Sequence, residues 1–113
     1  MKSGAIVATY RLKHSYYKKG IALWVGKEKT NETNPTRVAF VVSKKTHKRA
    51  VRRNRLKRLM REAYRLFLKN NQIQSSQKYI SLIFVGHERA LGKSFNEIQE
   101  IMFELLSGIK DVN

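Results

Sequence analysis

The chain has 113 residues, 42% of them apolar and 11 aromatic, with 24 Lys and Arg against 8 Asp and Glu for a net charge of +16. One domain spanning 1–113 is expected, with too much apolar content for wholesale disorder. The lack of cysteine excludes a disulfide scaffold, Cys-ligated zinc and thiol catalysis. No apolar run approaches the roughly 20 residues that cross a bilayer, and residues 1–10 are too weakly apolar for a secretory signal, so a cytoplasmic protein with no membrane role is expected.

Residues 5–13 alternate, with Ile6, Ala8, Tyr10 and Leu12 on one side, which predicts a half-buried strand. Lys18-Lys19-Gly20 turns the chain into a second strand, Ile21 to Val25. Residues 26–36 hold Asn31, Asn34 and the only proline, Pro35, and read as a loop. Val38 to Val42 is a continuous apolar run suited to a strand buried on both faces. A helix follows from about His47 to Lys69, then a polar connector over 70–78 and a buried strand from Tyr79 to Val85. Ser94 and Glu97 form a capping box for a last helix with Ile98, Ile101, Met102, Leu105 and Ile109 on one face and Gly108 at its end. The order is β-β-β-α-β-α. The strands flanking the first helix form a βαβ unit and are expected to be parallel, in a mixed four-stranded sheet covered by helices: an α/β (α+β) two-layer sandwich.

Charge concentrates in one segment. From Lys44 to Lys69, 26 residues hold 12 of the 24 Lys and Arg and a single acid, Glu62. At 100° per residue, Leu56, Leu59, Met60, Ala63 and Phe67 share one face, while Arg53, Asn54, Lys57, Arg58, Arg61 and Arg65 share the other. Neighbours on that face stand roughly 5–6 Å apart, a spacing that suits consecutive phosphates, and each guanidinium offers a two-pronged grip. Lys44, Lys45, Lys48 and Arg49 extend the field to the helix N-terminus, which itself favours anions. Asn54 reads either as a contact to a 2′-hydroxyl or phosphate, or as a residue satisfying local backbone. A folded array of this kind implies a polyanion of defined backbone geometry, and nucleic acid is the expected partner. DNA in a major groove fits less well, because this face offers phosphate grips rather than base readers.

The segment resembles the protein subunit of bacterial ribonuclease P. The resemblance rests on Arg37 to Lys45, then Ala50-Val51-Arg52-Arg53-Asn54-Arg55-Leu56-Lys57-Arg58, then Arg61-Glu62, with weaker support to residue 109. It implies a protein that binds the catalytic RNA and the 5′ leader of precursor tRNA and assists RNA-catalysed endonucleolytic removal of that leader. The alternative is a ribosomal-type structured-RNA binder with no role in cleavage. The resemblance implies RNA contacts at Arg53, Asn54, Arg55, Lys57, Arg58 and Arg61, and a left-handed βαβ crossover. Trp24, Val41, Ser43 and Lys44 would lie at the leader cleft, with Trp24 also readable as core. Family members begin with a short helix bearing Phe residues, and residues 1–20 give no good match. That helix is expected to be absent or shortened, with Lys2-Ser3-Gly4 as its tail, or replaced by Arg11 to Gly20, where Tyr16 and Tyr17 stand in for Phe.

His14, His47 and His87 are scattered, without companions at ligand spacing. No catalytic residue, metal site or tightly bound cofactor is expected on the protein. Mg²⁺ is expected through the RNA, and no obligatory protein partner is expected.

Overall fold

The computed structural model describes residues 3–30 and 35–109; Lys2, Asn31 and Asn34 lie outside them. The elements are α1 (Ser3–Arg11), β1 (Ser15–Lys18), β2 (Ile21–Val25), β3 (Arg37–Val41), α2 (Ala50–Lys69), β4 (Ser81–Gly86) and α3 (Phe95–Ser107), with 3-10 turns at Gln74–Lys78 and Glu88–Ala90.

The first element corrects the sequence reading. Residues 3–11 are a helix where a strand was read, so the N-terminal helix that was expected to be absent or shortened opens the described chain, and the first strand is Ser15–Lys18. Period two and period 3.6 both fit so short a stretch. The structure selects the helix because Ile6, Thr9 and Tyr10, spaced i, i+3, i+4, turn inward while Val7 and Leu12 stay exposed. The most buried of the three is a threonine, which hides the stripe from a hydrophobicity pattern.

β1 and β2 form a hairpin whose two-residue loop, Lys19-Gly20, has both φ angles positive, at 46° and 100°. A Cβ at Gly20 would lie 2.5 Å from the Ala90 backbone nitrogen, so only glycine fits there. The sheet order is β1-β2-β4-β3; β3 and β4 are parallel, and the other pairs are antiparallel. α2 links the two parallel strands, as the βαβ reading requires.

Alternation along the strands divides the sheet into two faces. Ile21, Leu23, Val25, Leu82 and Phe84 point to the main core, where they meet Leu56, Met60 and Phe67 of α2 and Ile98, Met102 and Leu105 of α3. Each such side chain contributes about 1.5–3 kcal/mol through burial. The capping box closes the start of α3: Ser94 Oγ accepts from the Glu97 amide, and Glu97 Oε1 accepts from the Ser94 amide, both at 3.2 Å. The second face carries Ala22, Trp24, Ser81, Ile83, Val85, Ala39 and Val41. Helix α1 crosses part of it over β2 and β4, and the buried Thr9 and Ser81 hydroxyls meet at 2.7 Å. The expected two layers are therefore joined by a partial third.

Candidate RNA interface

Helix α2 is held by its buried face: Leu56, Met60, Ala63, Tyr64 and Phe67. Tyr64 was not among the residues expected there. Its ring sits edge-on to Phe84 at 6.0 Å, its hydroxyl accepts from Gln77 Nε2 at 2.8 Å, and burial raises its pKa. With that face fixed, Asn54, Arg58, Arg61 and Arg65, spaced i, i+4, i+7, i+11, form an exposed stripe. Arg61 Cζ lies 5.8 Å from the centre of the Phe40 ring, a cation–π contact that seats the guanidinium at the β3 edge.

Arg53 and Arg55 behave differently from the rest of the predicted face. Arg53 Nη1 donates to the carbonyls of His47 and Lys48, both at 2.8 Å, and clamps the loop that enters the helix. Arg55 Nη2 donates to the Lys93 carbonyl at 3.2 Å, tying α2 to the approach to α3. Both are half-buried, as is Lys57. Arg65 is bound on two atoms by Glu62, at 3.1 Å and 2.5 Å. That pair lowers the Glu62 pKa, chiefly through the hydrogen bond from Arg65. The stripe's strongest unneutralised cations are thus Arg58 and Arg61. Arg52, not among the residues predicted for this face, is exposed at the first turn of α2 but lies about half a helical turn away from Arg61.

The loop from Ser43 to Arg49 carries Lys44, Lys45, Lys48 and Arg49, all exposed. Ser43 Oγ and Thr46 Oγ1 lie 3.2 Å apart, the Thr46 amide donates to the Ser43 carbonyl, and the Arg49 amide donates to His47 Nδ1 at 3.1 Å. These bonds shape the loop into a fixed apron of charge rather than a tail. Arg49 occupies the N-cap without a side-chain cap, so the first amides of α2 open onto this cationic loop.

On the second sheet face, Trp24 is half-buried and meets the Tyr10 ring edge-on at 5.0 Å. Trp24 is thus outside the main core. Tyr10 stands on α1, where no helix was expected and Tyr16 and Tyr17 were the aromatic stand-ins, and burial raises its pKa. Sequence reasoning missed it because alternation placed a strand there. Val41 is half-buried one row further along, in line with Val85, Ala22 and Tyr17, and Ser43 and Lys44 follow it off the end of β3. Tyr16 is a correction. It pairs with Leu23, turns to the helix-covered side, packs on the core and bonds His14 Nε2 at 2.8 Å. Tyr17 points the other way, 58% exposed, with its ring 5.9 Å from that of His87. The second face therefore carries Trp24, Val41 and Tyr17, with Tyr10 of α1 against Trp24, and β3 leads off this face into the charged apron.

Among the described residues, no cluster of three or more His, Cys, Asp or Glu is arranged to hold a metal ion, and no helix is long and apolar enough to cross a membrane.

Comparison with known proteins agrees with this geometry. The family model described as ribonuclease P matches residues 1–110. The ribonuclease P protein component of Clostridium botulinum (strain Langeland) is 33% identical over 97 residues, covering 86% of this chain and 80% of that one. The Alkaliphilus oremlandii protein component is 39% identical over 83 residues, covering 74% and 68%. That of Chlorobaculum tepidum is 72% identical over 32 residues, which are 28% of this chain and 21% of that one. The fold matches the Staphylococcus aureus RNase P protein with a TM-score of 0.74 at 21% identity, over 98% of this chain and 95% of that one. It matches the Thermotoga maritima RNase P protein with a TM-score of 0.75 at 20% identity, over 94% and 92%. With its cationic helix, mixed sheet and N-terminal helix matched along almost the whole length, the chain belongs to the ribonuclease P family as the protein component of that endoribonuclease.

Proposed function

We propose that α2 and the Ser43–Arg49 loop grip the phosphate backbone of the catalytic RNA, while the groove of Tyr10, Trp24, Val41 and Tyr17 receives the single-stranded 5′ leader of precursor tRNA. The observation that carries this reading is the division of labour across the sheet. A dense cationic stripe projects from a helix locked by its other face, and a sheet face bearing Trp24, Tyr17 and the Tyr10 contact lies on the opposite side of the same strands. Rigid Arg arrays suit structured backbones, whereas aromatic platforms bind single strands with little sequence preference. The chemistry belongs to the RNA, with Mg²⁺ held through RNA phosphates, and the complex works in the cytoplasm without an obligatory protein partner.

The test is reconstitution. Adding the chain to a bacterial ribonuclease P RNA at limiting Mg²⁺ should stimulate cleavage of precursor tRNA at the mature 5′ end. RNA binding without stimulation would instead favour a structured-RNA binder that has no part in cleavage, and cleavage by the protein alone would move the chemistry onto the chain.

A further inference from the structure

Beneath the C-terminal half of α1, where it passes the starts of β3 and β4, lies a cavity of about 480 Å³. It is separate from the Trp24 floor and holds none of the residues expected to touch RNA. Ala8 of α1, Leu12 just after it and Ile80 form an apolar wall. The hydrogen-bonded hydroxyls of Thr9 and Ser81 lie at its edge, both residues nearly fully buried. Lys27, Lys29 and Arg37 add charge to a lining that also includes Gly26, Thr30 and Pro35, with no carboxylate among the described lining residues. Glu28, the neighbour of both lysines in sequence, lines an adjacent cavity instead.

The frame around the cavity is rigid. The amides of Gly26, Lys29 and Arg37 donate to the carbonyls of Ser81, Lys78 and Ile80 at 2.7–3.0 Å, and the Ile80 amide donates to the Lys27 carbonyl at 2.8 Å. A Cβ at Gly26 would stand 2.0 Å from Ser81 Oγ, so glycine is what lets the hydroxyl pair and the loop approach each other. Three cations held on a fixed frame around one cavity repel each other, and an anion relieves that repulsion. A bare phosphate makes no use of the apolar wall, and an apolar ligand makes no use of the cations. A nucleotide uses both, and the cavity is within the roughly 300–1,000 Å³ range of small-ligand sites.

We propose that this cavity is a subsite for one unstacked nucleotide of an RNA strand, with its base against Ala8, Leu12 and Ile80 and its phosphate among Lys27, Lys29 and Arg37. The proposal rests on the reading that the chain binds RNA, but not on any role in cleavage. The strand that supplies the nucleotide is either the precursor leader or the catalytic RNA.

The full chain, titrated with uridine and adenosine monophosphates, should show saturable backbone amide shifts at Gly26, Lys27 and Arg37 by NMR. Inorganic phosphate at the same concentrations should not reproduce them. Equal shifts with phosphate alone, or no saturation, would overturn the assignment even if cleavage is stimulated normally. Lys27→Ala/Arg37→Ala should weaken nucleotide binding by about tenfold or more, while Arg37→Lys should lose less; both residues are charge-assisted donors on the surface. Far-UV circular dichroism of the double variant checks that it is folded. The same variant then identifies the source. Weaker binding of long-leader but not short-leader precursor points to the leader, and weaker binding of catalytic RNA points to that RNA. Unchanged affinity for both would refute the subsite.

Discussion

The two helices that border the sheet's functional faces, α2 and α1, were built by opposite means. α2 separates its faces sharply, with Leu56, Met60 and Phe67 inside and Arg58, Arg61 and Arg65 outside. α1 has no such contrast. Val7 and Leu12 are exposed at 47% and 43%, and its most buried described side chain is Thr9. One helix is positioned by a hydrophobic stripe; the anchors of the other among the described residues include the inward Ile6, the Thr9–Ser81 hydroxyl pair and the Tyr10–Trp24 edge contact. A binding surface for a structured polyanion needs a stiff array, and α2 supplies it. A groove for a single strand needs an aromatic floor and a wall, and α1 supplies these with little burial of its own. The lesson is that the strength of an element's sequence signal follows how it is anchored, not how much function it carries.

The largest effect should come from breaking the anchor of α2. Leu56→Ala removes a side chain buried to 1% at the centre of the core and should cost about 2–5 kcal/mol in urea unfolding. Thr9→Val replaces a buried hydroxyl and leaves Ser81 without that partner; it should cost less, about 1–3 kcal/mol. If the two proved equal, α1 would be as firmly anchored as α2, and the contrast between them would fail.

The functional half of the comparison separates by ligand. Tyr10→Ala should weaken precursor binding by about 1–3 kcal/mol, the scale of one base stacked on an aromatic ring, and leave affinity for the catalytic RNA unchanged. Arg58→Ala or Arg61→Ala should do the reverse, and flatten the salt dependence of RNA binding by about 0.7–0.9 for each phosphate that is no longer neutralised. Filter-binding series from low to moderate salt read both quantities. A Tyr10 variant that changed the slope, or an Arg58 variant that did not, would merge two surfaces that the geometry holds apart.

How much was legible follows the same physics. The βαβ unit, the mixed sheet, the Ser94 capping box and the inward stripe of α2 were readable because each depends on residues close in sequence or on a strong period. The helix at 3–11 was not, because a buried threonine in place of a hydrophobe leaves period two and period 3.6 indistinguishable over nine residues. Tyr16 and Tyr17 could not both stand in for the helix aromatics, because neighbours on β1 point to opposite faces and the register set by the Lys19-Gly20 turn sends Tyr16 to the core side. Angular arithmetic found the cationic face but not the engagement of Arg53 with the His47 and Lys48 carbonyls, or of Arg55 with Lys93 across 38 residues. Such bonds depend on how loops return to the helix, which no period records. They also divide the Arg-Asn-Arg run. Arg53 and Arg55 brace the helix, and Asn54 between them faces outward.

The smallest effect concerns Glu62, the one acid in the cationic segment. Arg65 holds its carboxyl below the usual carboxylate range. A folded-state pKa that is depressed contributes stability above the unfolded pKa, and that contribution fades as pH falls through the folded value. Both side chains are exposed, so solvent screens the pair and its stabilisation is slight. Glu62→Gln should therefore leave the urea midpoint at pH 7 close to that of the unsubstituted chain, and remove only a shallow acid-side dependence below about pH 4.5. Its effect on RNA should be the opposite of a conventional loss. Freed from the carboxylate, Arg65 joins Arg58 and Arg61 as a phosphate grip, so affinity for the catalytic RNA should rise and the salt slope steepen by about 0.7–0.9. An unchanged slope would show that Arg65 lies beyond the reach of the RNA, and would end the interface at Arg61.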